Sequence, residues 1–106
     1  MAKRNPLKIT VLKKLTAKEI YGKPLEDLAD DVTASCDRFQ VGQEFTVPPS
    51  GEMPAGFCYW AWHDIYPAVI GLLFGANYPW IKKDGLIYSC CSDGARPVFF
   101  KIERIS

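Results

Sequence analysis

The stretch that most constrains the fold is residues 56–75, GFCYWAWHDIYPAVIGLLFG, which holds the longest apolar run of the chain and two of its three tryptophans. Within it, four apolar residues recur at the spacing of one helix face: Ile65, Val69, Leu72 and Leu73. We predict a short helix that buries this face, with Asp64 as its N-cap and Gly75 just beyond its end. Residues 57–62 are expected to be extended or irregular.

Strand patterns lie on both sides of this helix. Residues 7–15 alternate apolar and polar side chains, and Phe39–Val47 contains a second short strand after a turn at Gly42. Residues 86–91 and 98–104 flank Asp93-Gly94, which predicts a C-terminal hairpin. The order predicts an α+β fold: a small antiparallel sheet or partly open barrel, packed against one central helix and short helical turns.

Length and charge narrow the class of protein. A chain of 106 residues is expected to form a single domain, 1–106. A net charge of +1 argues against a nucleic-acid partner bound through many phosphates. The sequence shows neither a signal peptide nor the run of ~18 apolar residues that a membrane span needs. We therefore expect a cytoplasmic protein without a membrane partner, in which cysteines stay reduced.

Reduced cysteines serve as metal ligands, as nucleophiles or as core residues. The chain has four, Cys36, Cys58, Cys90 and Cys91, and none forms a Cys-x-x-Cys pair, so ligands would have to converge from separate segments. In a regular strand Cys90 and Cys91 point to opposite faces, so at most one of them joins a shared site. Three thiolates, with His63 or an open fourth position, would suit zinc or an iron–sulfur cluster. Packing in the core remains the alternative.

A cysteine nucleophile is a further possibility. Cys58 would need a base, and His63 is the single histidine, five residues away, which is a poor separation for facing side chains on a helix. Trp60, Trp62 and Trp80 are candidates for the walls of an apolar pocket or for the core. Arg96 is a candidate for holding a carboxylate or for pairing with Asp93.

Four motifs carry a resemblance: GFCxWAWxDIY at 56–66, FGxNxPW at 74–80, CCxDGxRPV at 90–98 and KIERI at 101–105. They resemble an uncharacterised family of prokaryotic proteins of about this length, over nearly the whole chain after the first thirty residues. The resemblance implies no activity. It does imply a set of featured positions: Cys36, Cys58, Trp60, Trp62, Asp64, Asn77, Trp80, Cys90, Cys91, Asp93 and Arg96. His63 falls at a variable position of the family pattern, which weakens a Cys–His pair.

Three functions follow as hypotheses. The leading one is a metal or iron–sulfur site built from Cys36, Cys58 and Cys90 or Cys91, with catalytic or tuning roles for Cys58, Asp64 and Arg96. The cofactor would lie beside Trp60, Trp62, Trp80 and Asn77. The second is a metal-free small-molecule-binding domain or enzyme with an aromatic pocket and a cysteine nucleophile. The third is an interaction module that forms a homo-oligomer through exposed aromatic residues.

Overall fold

A computed structural model describes residues 4–105. The strands are β1 (Leu7–Lys14), β2 (Glu44–Val47), β3 (Leu86–Cys90) and β4 (Val98–Arg104). The helices are α1 (Ala17–Tyr21) and α2 (Tyr59–Leu73), with a 3-10 turn at Asp30–Val32. This is a small antiparallel sheet with one main helix, so the predicted α+β fold is confirmed.

The sheet is open and has the order β2-β1-β4-β3. All three strand pairs are antiparallel, and β3 and β4 form the predicted hairpin, with Tyr88 opposite Lys101. A bulge interrupts the pairing of β1 with β4 between Val11 and Lys13. Because β4 pairs with both β1 and β3, it holds the hairpin to the rest of the sheet.

One face of the sheet packs against α2. Alternate residues of the two central strands are buried there, as the period of a strand requires: Leu7, Ile9, Val11, Val98, Phe100 and Ile102. The buried stripe of α2 faces them and consists of Ala61, Ile65, Val69, Leu72 and Leu73. Full burial of each large aliphatic side chain contributes about 1.5–3 kcal/mol, so this layer is the main source of stability.

The first helix follows its local sequence signals. Glu19 N–H donates to Thr16 Oγ1 at 3.1 Å, and Thr16 N–H donates to Glu19 Oε1 at 2.9 Å, which completes a capping box. These hydrogen bonds from Thr16 hold the pKa of the Glu19 carboxyl below its ordinary value. Gly22, with φ of 77°, ends the helix.

The predicted start of α2 is wrong. The helix begins at Tyr59 with Cys58 as its N-cap, so residues 59–62 are helical and Asp64 lies inside the helix. The physical reason is that the buried stripe begins at Ala61, one turn before Ile65. Pro67 consequently lies inside the helix. Proline has no N–H to donate to the carbonyl four residues earlier. Because Pro67 is exposed, water can hydrogen-bond to that carbonyl instead.

None of the helices within residues 4–105 has both the length and the apolar character needed to cross a membrane.

Candidate functional site

A pocket of about 160 Å³ opens at the N-terminal end of α2. Its wall comes from three separate segments: the loop before β2, the start of α2 and the loop between β3 and β4. Three of the four cysteines line it, together with two arginines, one carboxylate and a tryptophan: Cys36, Cys58, Cys91, Arg38, Arg96, Asp93 and Trp60. We call this site the thiol pocket.

Cys58 enters the thiol pocket from the start of α2. It is the N-cap residue, yet its side chain makes no capping hydrogen bond, and the first turn contains no acidic residue. A helix leaves its first N–H groups without intrahelical acceptors and has a partial positive charge at this end. The pocket therefore lies against a helix terminus that favours negative charge.

Cys36 belongs to a loop that is fixed to the sheet and to the core. The Lys14 ammonium donates to the carbonyls of Cys36 and Phe39, each at 2.9 Å. The ring of Phe39 is buried, with its centroid 5.0 Å from that of Phe57 and 5.2 Å from that of Phe100. Two independent anchors thus hold the segment that carries the Cys36 thiol.

Cys91 follows directly after β3. Its N–H donates to the Val98 carbonyl at 3.0 Å, and its sulfur accepts the Val98 N–H at 3.2 Å. Burial raises the pKa of the Cys91 thiol, so this side chain is protonated at neutral pH. Cys90 is exposed and does not line the thiol pocket, in keeping with the alternation of side chains along a strand.

The loop that follows Cys91 is clamped to α2 by two hydrogen bonds. Ser92 N–H donates to Asp64 Oδ2 at 2.6 Å, and Trp60 Nε1 donates to the Ser92 hydroxyl at 2.6 Å. Asp64 is not part of the pocket lining. Its place in the structure is that of a positioning residue, which ties the Cys91 loop to the helix.

The charged side of the thiol pocket contains Arg38, Arg96 and Asp93. Asp93 Oδ1 accepts the N–H groups of Ala95 and Arg96 at 2.9 and 3.2 Å, which forms the turn. Its other oxygen lies 3.5 Å from Arg96 Nε. That nitrogen is buried and donates no hydrogen bond to any group of residues 4–105. With two guanidinium groups and one carboxylate, the pocket lining has an excess positive charge.

Other predicted site residues lie away from the thiol pocket. Trp62 packs against Phe57, with centroids 5.8 Å apart. Trp80 is 69 % exposed, and its ring is tilted against that of Tyr78, with centroids 5.2 Å apart. Asn77 Oδ1 accepts hydrogen bonds from Gly85 N–H and from the Arg104 guanidinium, so its contacts support the fold.

His63 also lies elsewhere, next to Trp62, Tyr66 and Pro67 on a different part of the surface. Cys58 and His63 therefore line different pockets.

Sequence reasoning missed three residues that build the site: Arg38, Lys14 and Ser92. Arg38 could have been found, because it stands two positions after Cys36 and its N–H donates to the Cys36 sulfur at 3.4 Å. The contacts of Lys14 and Ser92 span 22 and 28 residues or more and have no local signal.

The leading expectation for these cysteines is a metal ion or an iron–sulfur cluster. In the part of the chain that the structure describes, no three His, Cys, Asp or Glu side chains stand close enough together to hold one. A site for a single metal ion such as zinc therefore stays a prediction.

Comparisons with protein-family models, with curated proteins and with solved structures found no match to this chain. Membership of the family that the sequence motifs resemble stays a prediction.

Proposed function

We propose that the thiol pocket binds a small organic anion, with a carboxylate as the group that is recognised. The observation that supports this proposal is the set of positive groups around the cavity. Arg38, Arg96 and the uncapped N-terminus of α2 meet there, opposed by the single carboxylate of Asp93. An anion would balance the remaining charge, and a guanidinium binds a carboxylate through two parallel hydrogen bonds.

The rest of the cavity suits an apolar body. Phe39, Ala61 and Val98 contribute to the wall, and the indole of Trp60 borders it. A volume of about 160 Å³ is close to that of a cavity that holds one benzene ring. A ligand with one ring or a short hydrocarbon chain attached to its carboxylate would therefore match both parts of the pocket.

The test is a titration of the whole protein with benzoate and, separately, with benzamide, which has nearly the same shape but no charge. Binding is followed by changes in backbone amide NMR signals. We expect benzoate to shift the signals of residues 58–61 and 91–98, and benzamide to bind at least about tenfold more weakly. Arg96→Gln should weaken benzoate binding, whereas Lys101→Gln, on the sheet outside the pocket, should not.

Equal binding of benzoate and benzamide would contradict the proposal. So would benzoate shifts that map elsewhere on the chain, or an affinity that Arg96→Gln leaves unchanged.

A second candidate function is binding of an iron–sulfur cluster by Cys36, Cys58 and Cys91. Two observations favour it: these three thiols surround one cavity, and two of the sulfurs accept backbone N–H groups, which stabilise thiolate ligands. A cluster is bound through several irons, so its thiolates need not meet at one point. Bound there, it would supply electron transfer.

Anaerobic incubation with ferrous iron and sulfide tests this candidate. Stoichiometric iron with a visible absorption band is expected, lost in Cys58→Ser and retained in Cys90→Ser. A colourless protein without bound iron after this treatment would exclude a cluster.

A further inference from the structure

The thiol pocket contains reactive groups that binding of an anion does not use. We propose that Cys58 is the exchanging thiol of the chain, and that it reacts selectively with small disulfides that carry carboxylates. This inference rests on the proposed function, because the same positive groups would hold the carboxylate of the disulfide.

The three pocket thiols differ in how far they are engaged. Cys91 is buried and its sulfur accepts the Val98 N–H at 3.2 Å. The Cys36 sulfur accepts the Arg38 N–H at 3.4 Å. Cys58 is partly exposed, and its side chain makes no capping hydrogen bond although it stands at the N-cap. Cys36 and Cys58 are both partly exposed, but of the three sulfurs only that of Cys58 accepts no hydrogen bond from any group of residues 4–105.

The chemistry is thiol–disulfide exchange. The deprotonated Cys58 sulfur attacks one sulfur of R–S–S–R, and a bond forms between these two atoms while the original S–S bond breaks. The second sulfur leaves with the electron pair as RS⁻, and the proton of Cys58 goes to solvent. One disulfide is consumed and one mixed disulfide is formed, so no other oxidant is needed. Arg38 and Arg96 would attract the carboxylates of the anionic reagent and so raise its local concentration beside Cys58.

Cys90 provides an internal control. Of the four cysteines, Cys90 is the exposed one, and it lies outside the thiol pocket. If exposure alone decided reactivity, Cys90 would react before Cys58 with every disulfide. If the pocket decides it, the order depends on the charge of the reagent.

The experiment uses the intact, reduced protein and two aromatic disulfides in limiting amounts. One is 5,5′-dithiobis(2-nitrobenzoate), which carries two carboxylates, and the other is neutral 2,2′-dithiodipyridine. The release of the leaving thiolate gives the rate, and mass spectrometry of peptides gives the site. We expect the anionic reagent to label Cys58 first, with a Cys58-to-Cys90 ratio about tenfold or more above that of the neutral reagent.

Two variants and a change of salt concentration test whether charge directs the anionic reagent to Cys58. Arg96→Gln should slow the anionic reagent at Cys58 about tenfold and leave the neutral reagent within about twofold. Raised salt should have the same selective effect, because it screens the attraction between the charges. Cys58→Ser should remove the fast phase and still fold, since Ser is a favourable N-cap residue.

Labelling of Cys90 first by both reagents would overturn the inference, as would an Arg96→Gln variant that slows both reagents equally. Benzoate separates this failure from failure of the proposed function. If benzoate binds in the pocket but Cys58 shows no charge selectivity, only the inference fails. If benzoate neither binds nor protects Cys58 from the anionic reagent, the proposed function fails with it.

Discussion

The two ends of α2 differ in the hydrogen bonds that side chains make to them. At the C-terminal end, one guanidinium nitrogen of Arg104 donates to the carbonyls of Leu72 and Ala76 at 3.1 and 2.7 Å, and another donates to Asn77 Oδ1. At the N-terminal end, the Cys58 side chain makes no capping bond and no acidic residue lies in the first turn. One end is closed by a residue of β4, and the other faces the thiol pocket.

This difference separates residues that support the fold from residues that are available to a ligand. A long helix in a small protein needs its terminal polar groups satisfied, and at the C-terminal end the chain does this with its own side chains. At the N-terminal end a negatively charged ligand can accept hydrogen bonds from the free N–H groups of the helix. Substitutions at the two ends should therefore affect different measurements.

The largest effect is expected at the closed end. Arg104→Gln removes charged hydrogen bonds to the Leu72 carbonyl at the end of α2 and to the Ala76 carbonyl just beyond it, and should lower the free energy of unfolding by about 2–4 kcal/mol, measured with urea. Reactivity of Cys58 with the anionic disulfide should stay unchanged in the folded protein. An Arg104→Gln variant as stable as the wild type would show that the C-terminal end does not need this closure.

A substitution at Gly85 gives a second, independent test of the C-terminal end of α2. It has φ of +75°, and an added Cβ would lie 2.9 Å from Arg104 Nε. Gly85→Ala should cost about 1–2 kcal/mol from the backbone conformation, with a further loss if Arg104 is displaced. The same unfolding measurement checks it, and Gly94→Ala, where the added Cβ meets its nearest atom at 3.5 Å, is the matched control.

At the open end, Asp64 is expected to matter for one loop. Asp64→Ala removes the acceptor of the Ser92 N–H and should cost about 1–2 kcal/mol. Amide exchange of residues 91–97 should become faster, whereas that of residues 72–77 should not. Asp64→Asn keeps a side-chain oxygen and should cost less. Faster exchange at both ends of α2 would mean that the two ends are not independent.

Cys91 predicts a smaller, pH-dependent effect. Its pKa in the folded protein is raised above the ordinary value of 9.0 by burial. As the pH rises past 9.0, the unfolded state releases a thiol proton that the folded state keeps. The contribution of Cys91 to stability is therefore fully present below pH 9.0 and is lost as the pH rises through the folded-state pKa. The slope is at most about 1.4 kcal/mol per pH unit. Cys91→Ala should flatten the fall in stability above pH 9, and Cys90→Ala should not.

The smallest effect is expected for Cys90→Ser. This side chain is exposed and lies outside the thiol pocket, so the change in unfolding free energy should stay within about 0.5 kcal/mol. The rate at which the anionic disulfide labels Cys58 should also be unchanged. A slower rate would place Cys90 in the same reactive unit as Cys58.

Much of the fold could be predicted from local patterns. The alternation in β1, the capping box at Thr16 and the turn at Asp93-Gly94 each report an interaction within a few residues. The start of α2 could not, because aromatic residues between Tyr59 and Trp62 suit a strand as well as a helix. Burial of Ala61 against the sheet, a tertiary effect, decides it.

The site divides in the same way. Alternation along a strand predicts that Cys90 and Cys91 face opposite ways, but it does not say which of them faces the core. The shared position of Cys36, Cys58 and Cys91 depends on loops that cross between distant segments. The sequence also does not predict that Trp62 and Trp80 lie away from that pocket, since a tryptophan that lines a cavity and one that packs at the surface look alike in a sequence.

The central place of β4 has a consequence for how the protein is made. β4 lies between β1 and β3, so the sheet is incomplete until residues 98–104 have left the ribosome. Those residues follow Cys36 by about sixty positions, which takes roughly 3–12 seconds at ~5–20 residues per second. For most of that interval Cys36 and Cys58 lie in an unfinished chain that does not yet contain Arg96. Selectivity for an anionic disulfide would therefore arise only when synthesis of β4 is complete.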